Sequence, residues 1–247
     1  SSVPPMTVHL TVSDRGHEMS GVVRAGESWA AAARRTCASH HAEPVPLDLS
    51  GEVKRFHVEH DRRVALRAMT QGDLGDVARW LGTDHVRRWY DADGEPTLQR
   101  VTTRYGPCID GMEPTRMWVV EVNGRSVGFC QDYRLRDHPE FAALTPDPDA
   151  VGVDYAIGEP HLIGCGVGTA MLWVWLGSAQ RRYRDVTTYF AAPDHRNEAS
   201  LRVLEKVGFV RGTWFDEPQP DGTTATMVGC SLDVPKVVGM PVSAGPT

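Results

Sequence analysis

The stretch that most constrains the fold runs from Val151 to Ala192. It contains the apolar VGVDYAI, a turn at Gly158-Glu159-Pro160, the glycine-rich Cys165-Gly166-Val167-Gly168-Thr169, a helix-compatible AMLWVWLGSAQRRY and the strand-like DVTTYFAA. Strand, helix and strand in that order make a βαβ unit, which places the chain in the α/β class. The glycines sit where the helix opens. There they let successive backbone N–H groups turn toward an anion, and the helix N-terminus adds about half a positive charge. No Lys-Ser/Thr pair follows, so this is not a Walker loop, and the third glycine of a dinucleotide fingerprint is missing at its spacing. Glycines that serve only a tight turn account for the string equally well, so the neighbouring segments must decide.

Upstream, VALRAM alternates like a strand, and Thr70-Gln-Gly-Asp73 signals a helix start leading into DLGDVARWL. A second helix is expected from Pro96 through Leu98, Val101 and Tyr105, ended by Gly106-Pro107. MWVVEV and SVGFCQDYRL flank Asn123-Gly124, the strongest short-range hairpin signal, and so read as antiparallel strands. A loop rich in Pro and Asp covers 137–149. Downstream, Asn197 to Val207 has helical spacing with Gly208 behind it, and Phe209–Phe215 and Ala225–Leu232 read as closing strands.

Composition narrows the partners. A chain with 41% hydrophobic and 23% charged residues can bury a sizeable core. A net charge of -6 disfavours nucleic acid and suits a cationic ligand, although it serves solubility as well. No run approaches the ~20 apolar residues of a membrane helix, which speaks against a membrane partner. The first residues lack a basic region followed by an apolar one, so a cytoplasmic location is expected. Five scattered cysteines without CxxC spacing read as reduced thiols. His40-His41 and His57/His60 have no acidic or thiolate partner at ligand spacing, so no metal is expected.

Taken together, GVDYAIGEPHLIGCGVGTAML, DVTTYFAAPDHRN and NEASLRVLEKVGF resemble the GCN5-related N-acetyltransferases (GNAT), and within them the aminoglycoside 6'-N-acetyltransferases. The resemblance extends upstream through ARWLGTDHVRRWYDADGEPTLQRVTTRY and NGRSVGFCQDYRL. It implies a mixed central β-sheet with splayed central strands flanked by helices. Residues 57–234 then form the acetyltransferase domain, with an accessory arm at 1–56 and a tail at 235–247. The arm offers an alternating stretch at Thr7–Val12, an Ala-rich, helix-like Trp29–Ala38 and a Pro-punctuated link.

The resemblance also implies acetyl-coenzyme A as acyl donor, held by backbone groups around Ile157 and along Cys165, Gly166, Val167, Gly168 and Thr169, in a monomer or homodimer. Asn197 would lie near the pantetheine arm; as an ordinary helix cap it is accounted for equally well. Asp154 matches the family's proposed general base. An amine with a pKa of about 8–9 arrives protonated and attacks only when neutral, so a carboxylate that holds the ammonium and accepts its proton serves both needs. Asp is also disfavoured in strands, which weakens a purely structural role.

Trp89, Tyr90 and Asp91 match an aromatic substrate wall suited to a polyhydroxylated cation, or else pack between the first two helices. Asp137 and Asp194 are further acidic candidates for the substrate; a solvated loop position explains Asp137 as well. Cys165 reads as a small loop residue rather than a nucleophile, and His195 as a turn residue rather than a base. Trp173 and Trp175 read as core.

Two positions depart from the pattern. Ala192 stands where 6'-acetyltransferases often carry a second pocket Asp, and Leu204 where many GNAT enzymes carry a Tyr that protonates the leaving thiolate. Both put the regiochemistry and the tyrosine-acid mechanism in question. The competing readings are a siderophore-pathway lysine N-acyltransferase, suggested by Pro193-Asp194-His195-Arg196-Asn197, and a non-catalytic acyl-coenzyme A-binding regulatory module.

Overall fold

A computed structural model describes residues 8–14, 17–23, 32, 35, 55–58, 63–90, 94–139, 147–219 and 221–238. A seven-stranded mixed sheet runs in the order β4 (Val64–Ala68), β5 (Arg116–Val122), β6 (Arg125–Arg134), β7 (Val151–Ile157), β8 (Thr188–Ala191), β10 (Thr224–Asp233), β9 (Val210–Pro218). Every neighbouring pair is antiparallel except β7 and β8.

One face of the sheet carries α1 (Leu74–Leu81) and α3 (Leu98–Ile109), with α2 (Asp84–Tyr90) beside α1. Leu74, Val77 and Trp80 pack there with Val101, Tyr105, Val119 and Phe129. On the other face lie α4 (Val167–Arg182) and α5 (Glu198–Val207). The mixed sheet and its flanking helices are those expected of the fold class.

Local chemistry explains most boundaries. Thr70 and Asp73 form a reciprocal capping box ahead of α1. Asn123 and Gly124 take φ 54 and 75, the two positive values a tight primed turn between β5 and β6 requires. Gly106-Pro107 does not end α3 as expected. Gly106 is buried, its carbonyl accepts from Gln71 Nε2 at 3.2 Å, and the helix continues to Ile109. A Cβ on Gly106 would make only ordinary contacts with Gln71 and Thr102, so the glycine marks neither a chain reversal nor a close approach. Helix α2 was not anticipated, although Thr83 before it and Arg87 and Arg88 in its last turn are ordinary helix signals.

Helix α4 is buried over most of its circumference, Trp173 and Trp175 included, with a part-exposed stripe through Val174, Gly177, Ser178 and Arg181. Its second cover is the N-terminal arm. The arm forms a three-stranded sheet, β2 (His17–Val23), β1 (Val8–Asp14) and β3 (Arg55–Val58), and β3 runs against α4 while Ala32 lies fully buried in the same core. Strand β1 covers most of the alternating stretch. Most of the Ala-rich segment and the Pro-punctuated link lie outside the described residues.

Behind the sheet, Asp132 on β6 is fully buried. Its Oδ2 accepts from Trp118 Nε1 (2.8 Å), Trp175 Nε1 (2.9 Å) and Arg182 Nη2 (2.7 Å), and its Oδ1 from the Tyr183 hydroxyl (2.5 Å). Arg182 stacks 4.3 Å over the Trp118 ring and also donates to Ser178. No helix among the described residues is long and apolar enough to cross a membrane.

Candidate active site

Strand register sets the centre of the site. Gln131 on β6 is the cross-strand partner of Asp154 on β7, so both side chains leave the same face, and Gln131 Nε2 donates to Asp154 Oδ2 at 2.8 Å. Tyr133, two residues on, faces Gly152. A Cβ on Gly152 would stand 2.7 Å from the Tyr133 ring. The missing side chain therefore lets the ring lie across β7, where its hydroxyl donates to the Asp154 carboxylate.

Burial pushes the Asp154 carboxyl above its usual range, against the bonds from Gln131 and Tyr133 and the charges of Arg104 and His138. Burial and the Asp154 charge also push the phenols of Tyr90 and Tyr133 well up, so both stay neutral donors. Sequence reading missed Gln131 and Tyr133. Counting outward from Asn123-Gly124 does not recover them, because the β5–β6 ladder shifts by one residue between Val120 and Glu121.

Two connected spaces meet at Asp154. A hollow of about 330 Å³ is lined by Gln131, Tyr133, His138, Ala192, Phe215 and Glu217. An outer cleft of about 530 Å³ is lined by Trp89, Tyr90, Tyr155, Ala192, Asn197 and Glu217. The cleft follows a seam in the sheet. Strands β7 and β8 pair only at Val151/Tyr189 and Gly152/Phe190, so from Val153 onward β7 has no ladder partner on that side.

The predicted residues fall as follows. Trp89 and Tyr90 line the cleft, and the Tyr90 hydroxyl donates to the Tyr155 carbonyl at 3.2 Å. Asp91 lies outside the described residues. Asp137 is exposed on the short turn Leu135–Asp137, and it is His138 that lines the hollow. Asp194 borders the cleft with both oxygens bonded to Arg196, at 2.9 and 2.7 Å, while the His195 ring nitrogen stands 3.5 Å away. Asn197 lines the cleft and also caps α5, accepting from Ser200 N at 3.1 Å. Leu204 is fully buried; the hydroxyls in this part of the cleft include the Tyr155–Ser200 pair, 2.8 Å apart.

The Ile157 carbonyl meets His85 Nε2 at 2.9 Å, and Trp80 Nε1 ties the following turn to α1 through Glu159 at 3.0 Å. Beyond that turn, Gly166 takes φ 83 at the N-terminus of α4 and no side chain caps the helix. Val167 is buried, so only its backbone faces the loop, whereas Cys165 donates its thiol to the His161 and Ile163 carbonyls. A Cβ on Gly168 would meet only Val203 at 3.7 Å, an ordinary contact. An uncapped helix start with outward N–H groups fits a phosphate group. Among the described residues no three His, Cys, Asp or Glu side chains gather to hold a metal.

A family model for the acetyltransferase (GNAT) domain matches residues 69–217. Aminoglycoside N(6')-acetyltransferase type 1 from Klebsiella pneumoniae and that from Serratia marcescens are each 30% identical over 168 residues, covering 67% of this chain and 82% of the relative. The crystal structure of the aminoglycoside acetyltransferase AAC(6')-Ib with coenzyme A and kanamycin aligns with a TM-score of 0.61 at 26% identity, over 70% of this chain and 96% of that one. The structure of AAC(6')-Ib with ribostamycin and coenzyme A gives the same score and identity over 94% of its length.

Proposed function

Because the chain belongs to the GNAT acetyltransferase family, we propose that it acetylates an amine of an aminoglycoside-type antibiotic, with acetyl-coenzyme A as donor and Asp154 as general base. The observation that carries this reading is Asp154 itself, a carboxylate held by two hydrogen bonds at the open seam between β7 and β8. Relatives whose structures hold kanamycin or ribostamycin support the choice of acceptor.

The thioester supplies an activated acyl carbon. The chain supplies the rest. Residues 165–169 offer backbone N–H groups to the pyrophosphate, and the unpaired edge of β7 around Ile157 lies along the seam where the pantetheine arm runs, with Asn197 across it. Trp89 and Tyr90 wall the acceptor. Asp154 holds the incoming ammonium and takes one proton, leaving a neutral nitrogen. Its raised proton affinity suits that task, because a base works best with a pKa near the working pH. Gln131 and Tyr133 aim the carboxylate. With Leu204 buried, no side chain at that position delivers a proton to the thiolate, and solvent in the open cleft does so. A cytoplasmic location and a monomeric or homodimeric state belong to the same proposal.

A thiol-release assay with a kanamycin-type acceptor tests it. Asp154→Asn should lower kcat by ~10²–10⁴-fold, with partial recovery at high pH as bulk solution supplies neutral amine. A folded Asp154→Asn protein with near-wild-type kcat/KM removes Asp154 from the mechanism.

A further inference from the structure

The hollow beside Asp154 contains a second carboxylate. Glu217 lies near the end of β9, where strand alternation turns Phe215 and Glu217 inward to line the hollow. Asp216 between them turns outward and accepts from Thr226 at 2.9 Å. Glu217 lines the outer cleft as well, so it stands where the two spaces join. Among the described residues no hydrogen bond or ion pair reaches its carboxylate. Burial and the Asp154 charge push its carboxyl above the usual range.

Of the other acids, Asp194 is bonded to Arg196, Asp221 on the outer cleft accepts from Thr223 N and Oγ1, Asp137 is exposed on its turn, and Ala192 brings no charge. Asp154 and Glu217 also come from opposite sides of the seam, one from the β4–β7 half of the sheet and one from the β8–β10–β9 half. Arg104 lines both spaces and His138 the hollow, and both act on Asp154; the charge that acts on Glu217 is the like charge of Asp154.

Resting on the reading of Asp154 as the acceptor's anchor, we propose that Glu217 is a specificity-determining substrate residue. Its carboxylate takes a second ammonium group of a polyamine acceptor while Asp154 holds the one to be acetylated. A dication compensates both acids, whereas a monoamine leaves one of them uncompensated. The site therefore selects acceptors with at least two amino groups.

Kinetics with a kanamycin-type polyamine and with a sugar bearing one primary amine test this. Glu217→Gln should raise KM for the polyamine roughly 10- to 100-fold, the worth of one charge-assisted hydrogen bond, with little change in kcat. The same variant should not lower kcat/KM for the monoamine, which has no second ammonium to lose. An unchanged KM for the polyamine overturns the proposal, and so does an equal loss on both acceptors, which reports damage to shared machinery. Should the wild type acetylate neither acceptor, the proposed reaction fails. Calorimetric binding of the polyamine to wild type and Glu217→Gln then still decides Glu217, because equal affinities overturn its role.

Discussion

Asp132 supports the site from behind. It occupies β6 between Gln131 and Tyr133, and its four donors come from β5, from α4 and from the residue after α4. Replacing it by Asn can preserve the geometry: the amide oxygen turns to Trp118, Trp175 and Arg182, and the amide nitrogen donates to a reoriented Tyr183 hydroxyl. What disappears is the charge. A hydrogen bond to a charged acceptor is worth about 1 kcal/mol more than one to a neutral acceptor, so three of them predict a loss of about 3 kcal/mol. That agrees with the lower end of the ~3–5 kcal/mol typical of breaking a buried ion pair. Urea unfolding followed by circular dichroism should show the midpoint falling by about 1.5 M, for a slope of about 2 kcal/mol per M. Adding Arg182→Met to Asp132→Asn removes the stranded guanidinium and should recover part of the loss. A midpoint shift below ~0.3 M for the single variant would falsify the hub as an electrostatic anchor.

Other outcomes follow from the same contacts. Gly152→Ala places a Cβ against the Tyr133 ring and should cut kcat roughly 10- to 100-fold with the fold retained; full activity would show that Tyr133 does not need its present position. Because the folded state raises the Asp154 proton affinity, its stabilising contribution is complete below the ordinary carboxylate range and is lost as pH rises through the raised value. Asp154→Asn should accordingly melt higher than wild type at neutral pH while matching it in acid, and a lower Tm at neutral pH contradicts this. Starting the chain at Val64 uncovers α4; if two of its apolar side chains become exposed the cost is roughly 3–6 kcal/mol, so an unchanged cooperative melt would show the arm to be dispensable.

Periodicity and turn chemistry reveal the elements of the large sheet because they act over a few residues. Asn123-Gly124 fixes the β5–β6 turn by its own backbone preference, although the ladder shifts by one residue beyond Glu121, and Gly208 closes α5 at φ 105. Gly106-Pro107 misleads because the helix carries both residues without breaking: Asp110 N still reaches the Gly106 carbonyl at 3.0 Å and the helix ends only at Ile109. Asp154 and the loop at 165–169 stand out as unusual residues for their places. Gln131, Tyr133 and Glu217 do not, since each is unremarkable in its own strand and matters only once three strands converge. The expected acids at 137 and 194 show the converse. A carboxylate can be read from sequence, but whether it turns outward or is taken by an adjacent arginine depends on the local turn.

The two-pair ladder between β7 and β8 divides the large sheet into two plates that share one core beneath them. A ligand gripped by Asp154 on one plate and Glu217 on the other acts as a cross-brace. The slot for the acyl donor lies along the same seam. Acceptor and donor thus meet in a gap that both halves of the sheet define.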